Sequence, residues 1–227
     1  MVKAVIFDWD GTLADTPRHT FKIYQEIFAE LGKELTFADF KKYFGQDHTP
    51  LYNFLGLTPE QRKQVDGSWF RIYSKVQQSL RLYPQAKRLL RHLKESGYKI
   101  GLVTSGKEWR ISQELEMFGI ENLFDTIVTV EHIKKPKPAP DGLLLAAKKL
   151  KVSTTDCIYV GDMSEDIVAG KRAGMKTGIV VHGMHEHSNL GRLKPDLVIE
   201  KFNSRYFKHT KTSEPKIKPT DSRKLDK

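Results

Sequence analysis

A single cysteine, Cys157, occurs in 227 residues, and no apolar run reaches the roughly 18 residues that a membrane span requires. The first shortage excludes a disulfide framework and fits a reducing compartment. The second argues against a transmembrane helix. Cys157 lies in the apolar run Cys157-Ile158-Tyr159-Val160, where a small buried strand residue is expected rather than a reactive thiol. The first ten residues already read as strand and loop, so no signal peptide is expected and the chain is placed in the cytoplasm.

Acidic residues are also in short supply. There are 28 Asp and Glu against 38 Lys and Arg, a net charge of +10. Half of that excess falls between Asn203 and Lys227, where eight basic residues face three acids. This stretch carries Pro215 and Pro219 and almost nothing apolar after Phe207. It cannot bury enough surface to offset the entropy of ordering, so residues 203–227 are expected to form a disordered basic tail. Such a tail can touch anionic partners through non-specific phosphate contacts. No nucleic-acid module is recognisable, and the aromatic residues follow core patterns instead of interleaving with the basic run, which argues against specific nucleic-acid recognition.

What remains divides into two textures. From Pro17 to Leu80 no strand pattern appears, but apolar residues recur at helical spacing, as in Tyr24, Ile27, Phe28 and Leu31, and again in Trp69, Ile72, Tyr73 and Val76. Thr58-Pro59-Glu60-Gln61 has the form of a capping box with proline at the first helical position. The Trp69 and Tyr73 stripe is read as core of this helical segment. After Tyr83, helices and strands alternate: strands are expected near 98–104, 126–130, 156–160, 177–181 and 197–199, with helices between them. Such alternation predicts an α/β fold, a doubly wound, Rossmann-like and mostly parallel sheet, with a small all-helical segment inserted after the first strand. Residues 1–15 and 82–202 are assigned to the α/β core and 16–81 to the helical cap.

Polar residues gather at the expected strand ends. Asp8-Trp9-Asp10-Gly11-Thr12 follows the strand Val5-Ile6-Phe7; Thr104-Ser105-Gly106 follows Val103; Gly161-Asp162 follows Val160, with Asp166 four residues on; and Lys137 lies in a proline-rich loop. Carboxyl ends of parallel strands lie along one edge, so these groups should converge. Clustered carboxylates repel unless a cation sits among them, and oxygen ligands favour Mg²⁺. A lysine, a hydroxyl and backbone N–H groups supply what a phosphate needs. The competing calcium-loop reading of Asp-x-Asp-Gly fails, because Gly11 is fourth in the loop where an EF-hand needs glycine sixth, and no matching glutamate follows.

The four segments resemble, in order and spacing, the motifs of the haloacid dehalogenase superfamily of phosphohydrolases, in the branch with a helical cap after the first strand. Phe7 to Thr16 resembles the first motif, Leu102-Val103-Thr104-Ser105 the second, Lys137-Pro138-Ala139-Pro140-Asp141 the third, and Val160-Gly161-Asp162 through Asp166 the fourth. The resemblance implies that Asp8 is the nucleophile and forms an aspartyl-phosphate, and that Asp10 is the general acid and base. It implies that Thr104, Ser105 and Lys137 bind the phosphoryl oxygens. It implies Mg²⁺ held by Asp8, the Asp10 carbonyl and Asp162, with Asp166 acting through a water or orienting another ligand. Lys134 and Lys135 compete with Lys137, but the Pro-x-Pro-Asp context selects Lys137.

The expected function is thus a Mg²⁺-dependent phosphatase acting on a small phosphorylated metabolite, most similar to the phosphoglycolate phosphatase group. A mutase of the β-phosphoglucomutase type and an inorganic pyrophosphatase are the alternatives. Dehalogenases and phosphonatases of the superfamily lack the second acid, so Asp10 argues against both. Arg18, His19, Gly45 and Gln46 are candidate substrate contacts by position alone, and Asp15 is expected to fasten its loop to the cap. His182, His185 and His187 suggest a second metal site, but no helix fixes their spacing, so a loop is expected.

Overall fold

The computed structural model describes residues 2–45, 47–182, 190–203 and 205–208. Six parallel strands form one sheet: β1 (Ala4–Phe7), β2 (Lys99–Val103), β3 (Thr126–Val128), β4 (Cys157–Gly161), β5 (Lys176–Val180) and β6 (Leu197–Ile199), in the order β3-β2-β1-β4-β5-β6. β1 is central and β1, β3 and β4 have few exposed positions, which is why their sequences read as continuous apolar runs rather than as alternation. Successive side chains nonetheless divide between faces. Val5 and Phe7 join the apolar cluster beneath α5 (Ala86–Glu95) and α6 (Glu108–Phe118). Ala4 and Ile6 join the other, with α7 (Asp141–Leu150) and α8 (Ser164–Arg172). The doubly wound α/β architecture expected from the alternation is therefore present.

Between β1 and α5 lie α1 (Pro17–Glu30), α2 (Phe37–Tyr43), α3 (Thr49–Phe54) and α4 (Pro59–Val76). They bury an apolar cluster of their own, centred on Ile23, Phe28, Phe40, Leu51 and Ile72. The Thr58 capping box forms with both reciprocal bonds, Gln61 N–H to Thr58 Oγ1 at 3.2 Å and Thr58 N–H to Gln61 Oε1 at 3.0 Å. The two chain crossings into this helical insert run side by side. Asp15 N–H donates to the Arg81 carbonyl and Tyr83 N–H to the Leu13 carbonyl, each at 2.9 Å.

The short helices α9 (Leu190–Leu193) and α10 (Arg205–Lys208) complete the described chain. Phe207 is buried and its ring meets Phe7 edge-on at 6.4 Å. The core thus reaches five residues beyond Phe202, where the sequence reading ended it. A lone aromatic in a polar stretch gives no periodic signal; only its contact with β1 shows its place. Residues 209–227, like Gln46, His185 and His187, lie outside the described residues. Among the described residues no helix is long and apolar enough to cross a membrane.

Candidate active site

Three neighbouring strands deliver polar residues to the same edge. Asp8 follows β1, and its N–H donates to the Val160 carbonyl at 2.8 Å. Thr104 follows β2 and donates to the Val128 carbonyl at 3.0 Å, while Asp162 follows β4. All three are buried, as are Lys137, from the loop before α7, and Asp166, from the first turn of α8. Lys137 Nζ donates to Asp8 Oδ1 at 2.8 Å, to Asp166 Oδ1 at 2.7 Å and to the Tyr159 hydroxyl at 3.1 Å. Of the three lysines weighed from sequence, Lys137 is the one bonded to these carboxylates. Lys134 and Lys135 are both exposed.

Asp166 has both oxygens engaged. Oδ1 takes bonds from Lys137 and Tyr159, and Oδ2 accepts the Asp162 and Met163 N–H groups at 3.1 and 3.0 Å. It therefore braces the loop that carries Asp162. Asp162 Oδ1 accepts the Thr12 hydroxyl at 3.2 Å. Gly11 has a positive φ of 74°, and a Cβ there would collide with the Asp162 carboxylate, so both the turn and the close approach demand glycine.

Carboxylate oxygens of Asp8, Asp162 and Asp166 lie within 4.8 Å of one another. One ammonium faces three carboxylates. Burial pushes Asp8 up to about 7 even though Lys137 acts to lower it. Burial, then the Asp166 and Asp8 charges, push Asp162 well above the usual carboxylate range. Lys137 goes the other way: burial disfavours its charge, but Asp166 and Asp8 hold it well above an ordinary lysine. The cluster is short of positive charge, and its donors are all oxygen. Both properties fit a hard divalent cation.

Asp10 belongs to a second cluster. Arg110 on α6 donates Nη1 to Asp10 Oδ1 at 2.8 Å and Nη2 to Asp10 Oδ2, a bidentate fork. Arg110 Nη1 also reaches Glu114 Oε1 at 3.3 Å, one helical turn on. Glu114, with no exposed side-chain surface, accepts the Tyr73 hydroxyl on Oε1 and Trp9 Nε1 on Oε2. Burial works against the charge of Asp10, yet the Arg110 guanidinium holds its carboxyl below the usual range. Glu114 is pushed up by burial.

Residues 5–180 match the family model of haloacid dehalogenase-like hydrolases. The chain belongs to this family. Among its relatives, "Pyrophosphatase PpaX" of Bacillus velezensis is 32% identical over 206 residues, covering 89% of this chain and 94% of the relative. "Putative phosphatase YhcW" of Bacillus subtilis is 35% identical, covering 79% and 84%. A crystal structure from Haemophilus somnus 129pt, described as a "predicted phosphoglycolate phosphatase", superposes with a TM-score of 0.82 at 22% identity, covering 90% of this chain and 96% of that one. This haloacid dehalogenase-like hydrolase is accordingly an enzyme of the phosphatase type, with an acidic cluster suited to a metal ion.

The residues selected from the hydrolase's sequence fare unequally in the structure. Asp8, Asp162, Asp166 and Lys137 form one hydrogen-bonded group, and Thr104 stands at the neighbouring strand end with its Oγ1 accepting the Gly106 N–H at 3.0 Å. Ser105 lies half-buried in the same turn. Asp10 stands apart from that group, on Arg110. Arg18 stacks over the Phe37 ring at 5.3 Å, and His19 bonds the Asp15 carbonyl and Ser79 Oγ at 3.2 and 2.8 Å, so both have structural partners. His182 Nε2 contacts the Thr12 carbonyl at 3.1 Å and its ring packs on Tyr83, behind the first-motif loop. Among the described residues the acidic triad is the only group arranged to hold a metal.

Sequence reasoning missed Arg110, Glu114 and Tyr159, and it took Tyr73 for cap core alone. A signal for the first two was present: Arg110 and Glu114 run in step with Ile111, Leu115 and Phe118, which places two charges beside the apolar stripe of α6. Charges on a buried face need partners.

Proposed function

We propose that this enzyme is a divalent-cation-dependent phosphohydrolase that cleaves a small phosphorylated molecule through an aspartyl-phosphate on Asp8, with inorganic pyrophosphate the favoured substrate. The observation that carries the reaction class is the placement of Asp8 at the end of β1, bonded to Lys137 and within 4.8 Å of Asp162 and Asp166. A carboxylate there attacks phosphorus without needing a base. Asp10 would carry the proton to the leaving oxygen and then accept one from the water that hydrolyses the intermediate, and the Arg110 fork, which favours its ionised form, favours the second of these steps. Thr104, the N–H groups around Ser105, and Lys137 hold the phosphoryl oxygens. Asp8, Asp162 and the Asp10 carbonyl would hold Mg²⁺, and Asp166 would orient the Asp162 loop. When bound, the cation neutralises charge that otherwise repels an anionic nucleophile from an anionic substrate.

In the same proposal, residues 1–15 and the chain from 82 through the buried Phe207 are the catalytic core, 16–81 the cap that excludes water, and the basic residues after Phe207 an accessory tail. Pyrophosphate is preferred to phosphoglycolate on the relatives. The pyrophosphatase name comes from a protein 32% identical along most of the chain, whereas the phosphoglycolate description comes from a structure at 22% identity, which speaks for fold alone. Steady-state hydrolysis of pyrophosphate, phosphoglycolate and glucose 1-phosphate, with Mg²⁺ and with chelator, tests the reading. The highest kcat/KM is expected on pyrophosphate with Mg²⁺. A higher value on phosphoglycolate displaces the substrate assignment, isomerisation of glucose 1-phosphate displaces hydrolysis, and absence of any turnover removes the function.

A further inference from the structure

Asp10 has a partner that its proposed role does not explain. Its two carboxylate oxygens are both taken by the Arg110 fork, so the guanidinium plane fixes the plane of the carboxylate. The site is built for that fork. A Cβ on Gly106, in the turn beside Thr104, would fall inside contact distance of Arg110 Nη2 and 2.8 Å from Ile111 Cδ1. Glycine there leaves the guanidinium its place between the phosphate turn and Asp10.

Arg110 is in turn anchored on the side away from Asp10. Glu114 accepts from it, from Trp9 Nε1, and from the Tyr73 hydroxyl. Tyr73 belongs to α4 of the helical insert, so a continuous path of hydrogen bonds runs from the insert to Asp10: Tyr73, Glu114, Arg110, Asp10. The seam around this path joins the insert to the core through α4 and α6. The Trp109 ring lies 4.9 Å from Phe70 and 5.6 Å from Tyr73, and Gln77 donates to Gln113 at 3.2 Å. A small pocket with room for about one water borders Tyr73, Arg110 and Glu114 on the α1 side.

We infer that Arg110 is a positioning residue for Asp10, itself held in place by Glu114 and, through Glu114, by the Tyr73 hydroxyl of the helical insert. The inference rests on the proposed proton-transfer role of Asp10. Both Nη groups of Arg110 are engaged by Asp10 and Glu114, so Arg110 acts through Asp10 and not as a second phosphate site.

A set of phosphate monoesters graded in leaving-group basicity, from aryl to alkyl, tests this in the full-length protein. A poorly positioned acid matters most where the leaving oxygen is most basic, whereas general damage to the fold slows all members alike. Arg110→Lys keeps the charge but loses the fork. It is expected to lower kcat on alkyl esters by about tenfold or more, a part of the roughly 10²–10⁴-fold that proton transfer contributes. The aryl esters should change little, and KM should hold throughout. Tyr73→Phe, which removes only a hydroxyl, should give the same selective loss at a smaller size, and it decides the matter if Arg110→Lys fails to fold. In an Asp10→Asn background Arg110→Lys should cost nothing further. Equal losses on aryl and alkyl esters, or additive losses with Asp10→Asn, overturn the inference while leaving the function intact. Full alkyl-ester activity in Asp10→Asn removes the proton-transfer role itself, and the inference with it.

Discussion

Two charge clusters stand side by side at the carboxyl edge of the sheet, and they solve opposite problems. The Lys137 cluster lies wholly within the core and leaves charge unbalanced, with three buried carboxylates around one compact ammonium. The Arg110 cluster straddles core and insert, and there a planar fork saturates the carboxylate it holds. Lysine offers a point charge that carboxylates share without fixing their planes, and arginine fixes the plane. The first arrangement suits a cation and a transferring phosphoryl group. The second suits a carboxylate whose direction matters.

The comparison breaks most sharply at Asp8. Asp8→Asn is nearly isosteric but a poor nucleophile, so steady-state turnover should fall on the order of 10⁴-fold or more while far-UV circular dichroism is unchanged. Turnover close to wild type in the purified, Mg²⁺-replete variant excludes covalent catalysis. Lys137→Met comes next. It leaves Asp8 and Asp166 buried without their cation and should cost about 3–5 kcal/mol in denaturant unfolding, the usual range when one partner of a buried pair is removed. Mg²⁺ should recover part of that loss; a variant as stable as wild type without metal would mean that the ion pair is not the cluster's anchor.

Asp162→Asn sharpens the claim of unbalanced charge. Because burial and two neighbouring carboxylates already disfavour the Asp162 charge, its removal should raise the Tm of the metal-free protein. The same change should shrink the rise in Tm that Mg²⁺ produces. An unchanged Mg²⁺ response takes Asp162 off the ligand set.

The smallest effect is expected in the insert, which only the Arg110 cluster touches. His48 packs against Tyr24 and Phe44, and burial holds its pKa below the ordinary 6.5. A depressed folded pKa contributes stability that is present above the unfolded value and lost as pH falls through the folded one. Acidification below about pH 6.5 should therefore weaken the insert first. His48→Phe should flatten that dependence in thermal unfolding, and an identical pH dependence in the variant rules His48 out as its source.

Much of the Lys137 cluster was legible in the sequence because it follows from local pattern plus one rule. Short apolar runs mark buried strands, and parallel strands bring their carboxyl ends to one edge, so Asp8, Thr104 and Asp162 converge whatever the loops do. The Arg110 cluster is different. Its members come from the first loop, the insert and α6; the spacing pairs Arg110 with Glu114 one helical turn apart, but nothing announces that Trp9, Tyr73 and Asp10 meet them. Tyr73 fits the apolar period of α4 and reads as core, which its ring is; only its hydroxyl crosses to Glu114. Phe207 was hidden for the same reason, an isolated side chain whose place is set by a contact with Phe7 two hundred residues away.

The account turns on a covalent bond between Asp8 and phosphorus. Rapid acid quenching during turnover of radiolabelled pyrophosphate, followed by peptide mapping, tests it directly. The account predicts phosphate label on the peptide containing Asp8, absent from Asp8→Asn and discharged when unlabelled substrate is added before the quench. Steady turnover with no label on the protein, or label on another residue, would contradict it.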